Sequence, residues 1–394
     1  MAEYTLKVRR YQPESGEGPY WEEFKVELDP SLSVLDGILQ AKDRDDGSLS
    51  VRCSCRAAIC GSCGMKVNGS STLGCKTQIG EAHEQANRRN TGADTPPPMG
   101  ADELPPPGTA DSSADNPIVV EPMGNMPVIK DLITDMESTH WAKIRRVTPW
   151  LLPHGTPPER EYVVEPESMI DITQSMACIQ CGACVSSCLS MEADPEFIGP
   201  AALAKAYRFA GDPRDAETKE RLHDLAHDPH GIYDCTHCFS CVDACPKGVA
   251  PMDQIMRLRR MAVEEGIDDD PNNGYNHSAA FVRMIEKKGT NDEALLVQES
   301  HALGLKGKLK PSKHAIKGLI ESLPTVLRAI RTGKARSPAK VIPGIHPKLP
   351  GGAQDEVKAI YAHAERHREE FNIYIRGEED VEPEPDETEA EEKV

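Results

Sequence analysis

Residues 3–28 alternate apolar and polar positions with the two-residue period of strands. Tyr4, Leu6 and Val8 lie on one side, and Trp21, Phe24, Val26 and Leu28 follow a turn at Gly16–Gly18, which predicts a hairpin. Ser33, with Asp36 three residues on, is an N-cap for a helix carrying Val34, Leu35, Ile38 and Leu39. Asn68-Gly69, directly after Met65-Lys66-Val67, marks a second hairpin turn. Residues 83–116 hold two Pro triplets and almost nothing apolar, and read as an inserted flexible linker. Order resumes at Pro117-Ile118-Val119-Val120, the expected last strand of a first domain. From Val128 the period becomes helical through Ile129, Leu132, Ile133 and Met136. Gly199–Ala210, Asp215–His227 and Met252–Glu265 read as helices, as do 277–301, 312–322, 324–332 and 355–371.

The order of elements predicts an α+β chain. A β-grasp domain spans 1–126 with the insertion at 83–116, and an all-helical domain spans 127–265. A helical extension follows at 266–376, then an acidic tail at 377–394. Composition supports this division. Only 38% of the 394 residues are hydrophobic and mean hydropathy is -0.50, too polar for core throughout, so part of the chain is linker or tail. The formal charge of -19 argues against nucleic acid as a partner. That charge is uneven: residues 303–349 carry eleven Lys or Arg against the single acid Glu321, whereas the tail is dominated by acids and reads as disordered. An export segment is not evident at the N-terminus, and no run approaches the roughly 20 apolar residues of a membrane span.

The thirteen cysteines change the picture most, because twelve of them fall into three spaced blocks. Cys55, Cys60, Cys63 and Cys75 read C-x4-C-x2-C with a distant fourth thiol, the plant-type [2Fe–2S] spacing. Cys178, Cys181, Cys184 and Cys188 read C-x2-C-x2-C-x3-C, and Cys235, Cys238, Cys241 and Cys245 repeat it before Pro246. This repeat is the two-cluster ferredoxin arrangement, in which each block's fourth cysteine serves the other block's cluster. The small residues Gly61, Ser62, Gly64, Gly182 and Ala183 let the backbone turn back after each thiol and aim N–H groups inward. The competing chemistry is structural zinc, making the chain a zinc-stabilised interaction protein. Four ligands at C-x2-C-x2-C-x3-C crowd too closely for the two knuckles of a zinc ribbon. Cys53 is left over, read as a small packing thiol with a backup ligand as the alternative. His237, inside the last block, reads as a hydrogen-bonding group near a cluster.

The order of the motifs carries a family likeness. The plant-type block, "MPVIKDLITDM", "CIQCGACVSSC", "PEFIGPAALAKAYRFAGDPRD" and "CTHCFSCVDACPKG" together resemble the iron–sulfur subunit of succinate dehydrogenase and fumarate reductase, over about residues 3–265 apart from the insertion. The resemblance implies three centres relaying electrons between an FAD-containing flavoprotein subunit and a quinone at membrane anchor subunits. The chain would then be cytoplasmic and peripheral on the inner face of the plasma membrane. Carried over by position, Cys55, Cys60, Cys63 and Cys75 hold [2Fe–2S], Cys178, Cys181, Cys184 and Cys245 hold [4Fe–4S], and Cys188, Cys235 and Cys241 hold the third centre.

This chain departs from that pattern in three places. Cys238 stands where the family has an apolar residue, so the third centre is either [3Fe–4S] or, with Cys238, a second [4Fe–4S]. Leu189-Ser190-Met191-Glu192 replaces the family's Pro and downstream Trp, which puts the familiar quinone pocket in question. Beyond residue 265, "NHSAAFVRMIEKKGTNDEALL" and "KLKPSKHAIKGL" resemble small iron–sulfur subunits of heterodisulfide reductases, which leaves a thiol-linked fumarate reductase as an alternative. The basic stretch there would dock on a membrane subunit or lipid, or on the flavoprotein.

Overall fold

The computed structural model describes residues 1–90, 116–267 apart from 154, 156 and 157, 274–290, 352–366 and scattered positions from 296 to 332. The expected acidic tail, most of the insertion and most of the basic stretch lie outside these residues. The chain forms two compact units. One comprises Met1–Trp150, Thr173–Arg208 and Cys235–Ile255; the other comprises Leu151–Ile172, Phe209–Asp234 and Met256–Val394. The division cuts across the expected boundary at 126/127, because the segments bearing all three cysteine blocks fall in the first unit.

The first unit is built on a five-stranded sheet of order β2-β1-β5-β3-β4. Strands β1 (Ala2–Arg10) and β2 (Tyr20–Leu28) form the expected hairpin. Tyr4, Leu6, Val8, Phe24, Val26 and Leu28 are buried. Trp21 is not; it is 46% exposed, because its parity is opposite to that of Phe24, Val26 and Leu28. Helix α1 (Val34–Arg44) starts at a complete capping box: the Ser33 side chain accepts from the Asp36 amide while the Asp36 carboxylate accepts from the Ser33 amide. Strands β3 (Gly64–Val67) and β4 (Ser70–Leu73) meet at Asn68-Gly69, both left-handed at φ 49° and 78°. Strand β5 (Ile118–Glu121) lies parallel to β1 and antiparallel to β3, closing the β-grasp.

Two expectations are corrected. Helix α2 (Ile79–Asn90) covers the first eight residues assigned to the flexible insertion. Its buried stripe is Ile79, Ala82 and Ala86, a helical spacing carried by side chains too small to stand out among polar neighbours. The segment from Val128 is not helical: β6 (Val128–Lys130) and β7 (Ile133–Thr134) form a small ribbon. Asp131 turns between them at φ 45°, its side chain committed to groups outside the segment, and Ile129 is left 47% exposed. A π-helical turn (Glu137–Trp141) and α3 (Ala142–Arg146) follow.

Between Pro166 and Glu264 the chain forms α4 (Pro166–Met176), α5 (Ala183–Ser186), α6 (Leu189–Ala193), α7 (Pro200–Ala210), α8 (Thr218–His227), α9 (Ser240–Asp243) and α10 (Pro251–Glu264), of which α5, α6 and α9 lie wholly in the first unit and α8 in the second. The expected helices at Gly199, Asp215 and Met252 are therefore present. Gly274–Lys288 and Ala353–Arg366 are helical in the extension. Among the described residues no helix is long and apolar enough to cross a membrane.

Candidate metal centres

The first cysteine loop curls tightly, with Arg56, Ala58 and Gly61 left-handed at φ 54°, 55° and 72°. Non-glycine residues adopt that conformation at a cost, and the return here is inward-facing amides. The N–H groups of Ala57, Ile59 and Cys60 donate to Cys55 Sγ at 3.3, 3.4 and 3.3 Å, and that of Ala58 donates to Cys75 Sγ at 3.3 Å. Hydrogen bonds, first from the Ser62 hydroxyl and then from backbone amides, hold Cys60 down to about 6. Burial pushes Cys63 up to about 12, with the charges of Cys75 and Cys60 adding to it. The four thiols of the block thus meet in one place, one face exposed and one face in the core. Cys53, two residues earlier, is exposed.

The eight remaining thiols sort into two sets that cross the sequence blocks. Cys178, Cys181, Cys184 and Cys245 line one narrow pocket of about 20 Å³, together with Gly182, Ala201 and Ala204. Burial raises Cys178, Cys181 and Cys184, and neighbouring thiols raise them further: all three feel Cys245, and Cys184 also feels Cys241 of the later block. The amide of Val249 donates to Cys245 Sγ at 3.3 Å. Cys188 instead belongs with the later block. Burial raises it, as do the charges of Cys235 and Cys238, and Cys241 is pushed up to about 12 by burial and then by Cys235, Cys188 and Cys238. Cys238 moves the other way. Burial works against its thiolate, but hydrogen bonds from the Ser240 hydroxyl and amide, the Leu189 amide and the Thr236 hydroxyl together outweigh it.

The two repeated loops share a backbone. Gln180 and Gly182 sit at φ 57° and 80°, and the equivalent His237 and Phe239 sit at φ 55° and 61°. Phe239 therefore holds a left-handed position that suits glycine, and its ring is 54% exposed. Ser190, Thr236 and Ser240 form a hydroxyl group cluster beside Cys238: Thr236 N donates to Ser190 Oγ at 3.2 Å, and the two hydroxyls lie 3.3 Å apart. Spacing alone did not single out Thr236 or Ser240; only their position between cysteines hinted at a role.

These donor sets suit iron–sulfur clusters. Buried thiolates are costly unless a metal compensates them, and each set offers four thiols with amide donors aimed at sulfur. The comparisons with known proteins agree. The 2Fe-2S iron-sulfur cluster binding domain family matches residues 5–140, and the 4Fe-4S dicluster domain family matches residues 174–249. The fumarate reductase iron-sulfur subunit of Mycobacterium tuberculosis is 37% identical over 269 residues, covering 68% of this chain and 96% of that one. The chain belongs to the succinate dehydrogenase and fumarate reductase iron–sulfur subunit family. The succinate dehydrogenase iron-sulfur subunit of Coxiella burnetii is 32% identical over 263 residues, 66% of this chain and 97% of that one. In fold the chain is similar to one in the Mycobacterium smegmatis Sdh1 complex in the apo form, with a TM-score of 0.52 at 24% identity over 68% of this chain and 98% of that one. This family member is accordingly an oxidoreductase subunit with [2Fe–2S] and [4Fe–4S] binding domains, and it relays electrons. About a third of its length lies outside the matched region.

Proposed function

We propose that Cys55, Cys60, Cys63 and Cys75 hold [2Fe–2S], that Cys178, Cys181, Cys184 and Cys245 hold [4Fe–4S], and that Cys188, Cys235, Cys238 and Cys241 hold a second [4Fe–4S]. The observation that carries this reading is the exchange of Cys188 and Cys245 between the two repeated blocks. Exchange ties distant segments together at the metal, so cluster assembly and folding are coupled. Cys238 is the departure from the family's expected three-thiol set, and its proximity to Cys188 and Cys241 supports a fourth ligand.

Bound clusters supply reversible one-electron transfer, and the chain supplies position and potential. The amides around Cys55 and Cys245 and the hydroxyls of Ser62 and Ser240 stabilise negative charge on sulfur, which raises a cluster's potential. Neither acid–base nor nucleophilic chemistry is asked of any side chain. On this reading the flavoprotein subunit exchanges electrons with one end of the relay and a quinone at a membrane anchor with the other. The chain sits peripherally on the inner face of the plasma membrane through those subunits.

EPR of the purified complex tests the assignment. Two reduced [4Fe–4S] signals with no oxidised-state [3Fe–4S] signal are expected, and Cys238→Ala should convert one of them to a [3Fe–4S] signal. An oxidised-state [3Fe–4S] signal in the unaltered protein refutes Cys238 as a ligand. A colourless preparation with stoichiometric zinc overturns the whole reading.

A further inference from the structure

The loop that follows Cys60 lies directly on Cys181. A Cβ built on Gly61 would stand 2.8 Å from Cys181 Cβ and 2.9 Å from its Cα, and one on Gly64 would meet Met123 Sδ at 2.8 Å and the Cys181 carbonyl at 3.3 Å. Gly61 and Gly64 are the residues immediately after Cys60 and Cys63, so the backbone following two thiols of the first set touches a thiol residue of the second. Cys63, Cys181 and Ala183 also share the hydrophobic core formed by the sheet and α1. Packing this close leaves no room for an intervening side chain.

A buried polar clasp holds the contact in register. Ser71, on β4, donates its hydroxyl to Ser186 Oγ at 2.7 Å, and the Gly124 amide donates to the same oxygen at 2.8 Å. Both serines are buried. Asn125, left-handed at φ 56°, donates Nδ2 to the carbonyls of Val185 at 2.8 Å and Cys188 at 2.9 Å. These bonds run from the sheet domain to α5, the helix that carries Cys184 and leads into Cys188. Met123 fills the space beside them, touching the positions of both Gly64 and Gly182.

We propose that Gly61 and the Ser71–Ser186–Asn125 clasp are positioning residues for the electron step between the first and second centres. The step moves one electron and neither forms nor breaks a bond, so its rate depends on separation and packing across the Gly61–Cys181 contact. The proposal rests on the ligand assignment above. Any side chain at residue 61 must push the two loops apart by about 0.6 Å to reach ordinary contact at 3.4 Å, since the obstructing atoms include backbone. The left-handed φ of 72° adds strain to that displacement. Removing the Asn125 side chain loosens the same junction from its other side.

The test uses the purified, cluster-loaded complex with Gly61→Ala, Asn125→Gly and, as a control, Gly47→Ala, whose Cβ would meet nothing within 4 Å. Glycine at residue 125 keeps the left-handed backbone and deletes only the two side-chain bonds. Iron content and the separate EPR signals report the centres themselves. Relaxation enhancement between the two reduced centres reports their separation, and rapid-mixing reduction reports the transfer rate. Expected is a several-fold slower first-to-second transfer and weaker magnetic coupling in both variants, with both signals retained and the control unchanged. Where Gly61→Ala loses the first centre, Asn125→Gly decides the matter. Unchanged coupling and rate in a fully loaded Asn125→Gly variant overturn the proposal. Retention of the second centre's signal in Cys181→Ala, by contrast, overturns the ligand assignment and not the positioning argument alone.

Discussion

Asp131→Asn removes one charge from a network that anchors the entrance to the first cysteine loop. The Asp131 carboxylate accepts from Arg10 Nε at 2.9 Å, from the Tyr11 amide at 3.0 Å and from the Ser50 amide at 2.8 Å, so it joins the end of β1 to the segment leading into Cys53 and Cys55. Arg10 and Asp131 side chains are both fully buried. Arg10 also donates to Asp46 at 2.9 Å, to Ser48 at 3.0 Å and to Glu22. Removing one partner of a buried pair costs about 3–5 kcal/mol, because the other charge stays desolvated. Asp46 and Glu22 remain as counter-charges, which places the expected loss near the lower end, about 3 kcal/mol. That is a large share of a domain stability of roughly 5–15 kcal/mol. Urea unfolding of the cluster-loaded protein, followed by far-UV circular dichroism and by visible absorption, measures it. The midpoint should fall with the slope unchanged, and the double variant Arg10→Met/Asp131→Leu should recover part of the loss. A loss under about 1 kcal/mol, the range of exposed pairs, would refute the claim that this charge is matched in a dry site.

Two further outcomes follow from individual side chains. His140 is buried and donates Nε2–H to the Gln180 carbonyl at 3.1 Å, and burial holds it down to about 4. Its neutral form is the folded one, so its contribution is complete above the unfolded value near 6.5 and is lost as pH falls toward 4, by up to about 3 kcal/mol. Stability measured between pH 7 and 4 should show that slope and His140→Phe should flatten it; an identical profile in the variant refutes the assignment. Gly182→Ala forces a side chain into φ 80° and against the methyl ends of Met126 and Met136, which yield easily. The backbone dominates, and a loss of about 1–2 kcal/mol by urea unfolding is expected. A variant as stable as the parent would show that the loop accommodates the change.

The strand parity of residues 3–28, the Ser33–Asp36 capping box and the Asn68-Gly69 turn were legible because each is a local rule. Neighbouring residues decide it, and the structure contains all three. The errors arose where distant partners override local pattern. Val128–Met136 carries helical spacing, yet Asp131 bonds to Arg10, Tyr11 and Ser50 and holds the segment as a ribbon. Helix α2 was hidden by the opposite effect, a buried face made of Ala82 and Ala86 with little apolar signal. Trp21 misled through its hydrophobicity, since parity and not residue type chooses the buried side.

Cysteine spacing by itself pointed to iron–sulfur chemistry, because a cluster needs several thiols within one short reach and short, small-residue loops supply them. Motif order determined the family. What spacing could not reveal is how closely the first and second thiol sets meet. That depends on Gly61 against Cys181, on Ser71 with Ser186, and on Asn125 reaching two carbonyls, contacts between residues 60 to 120 positions apart. Distances of this kind belong to packing. They exist only once the sheet core has closed over the second cysteine loop, with Cys181 and Ala183 inside it.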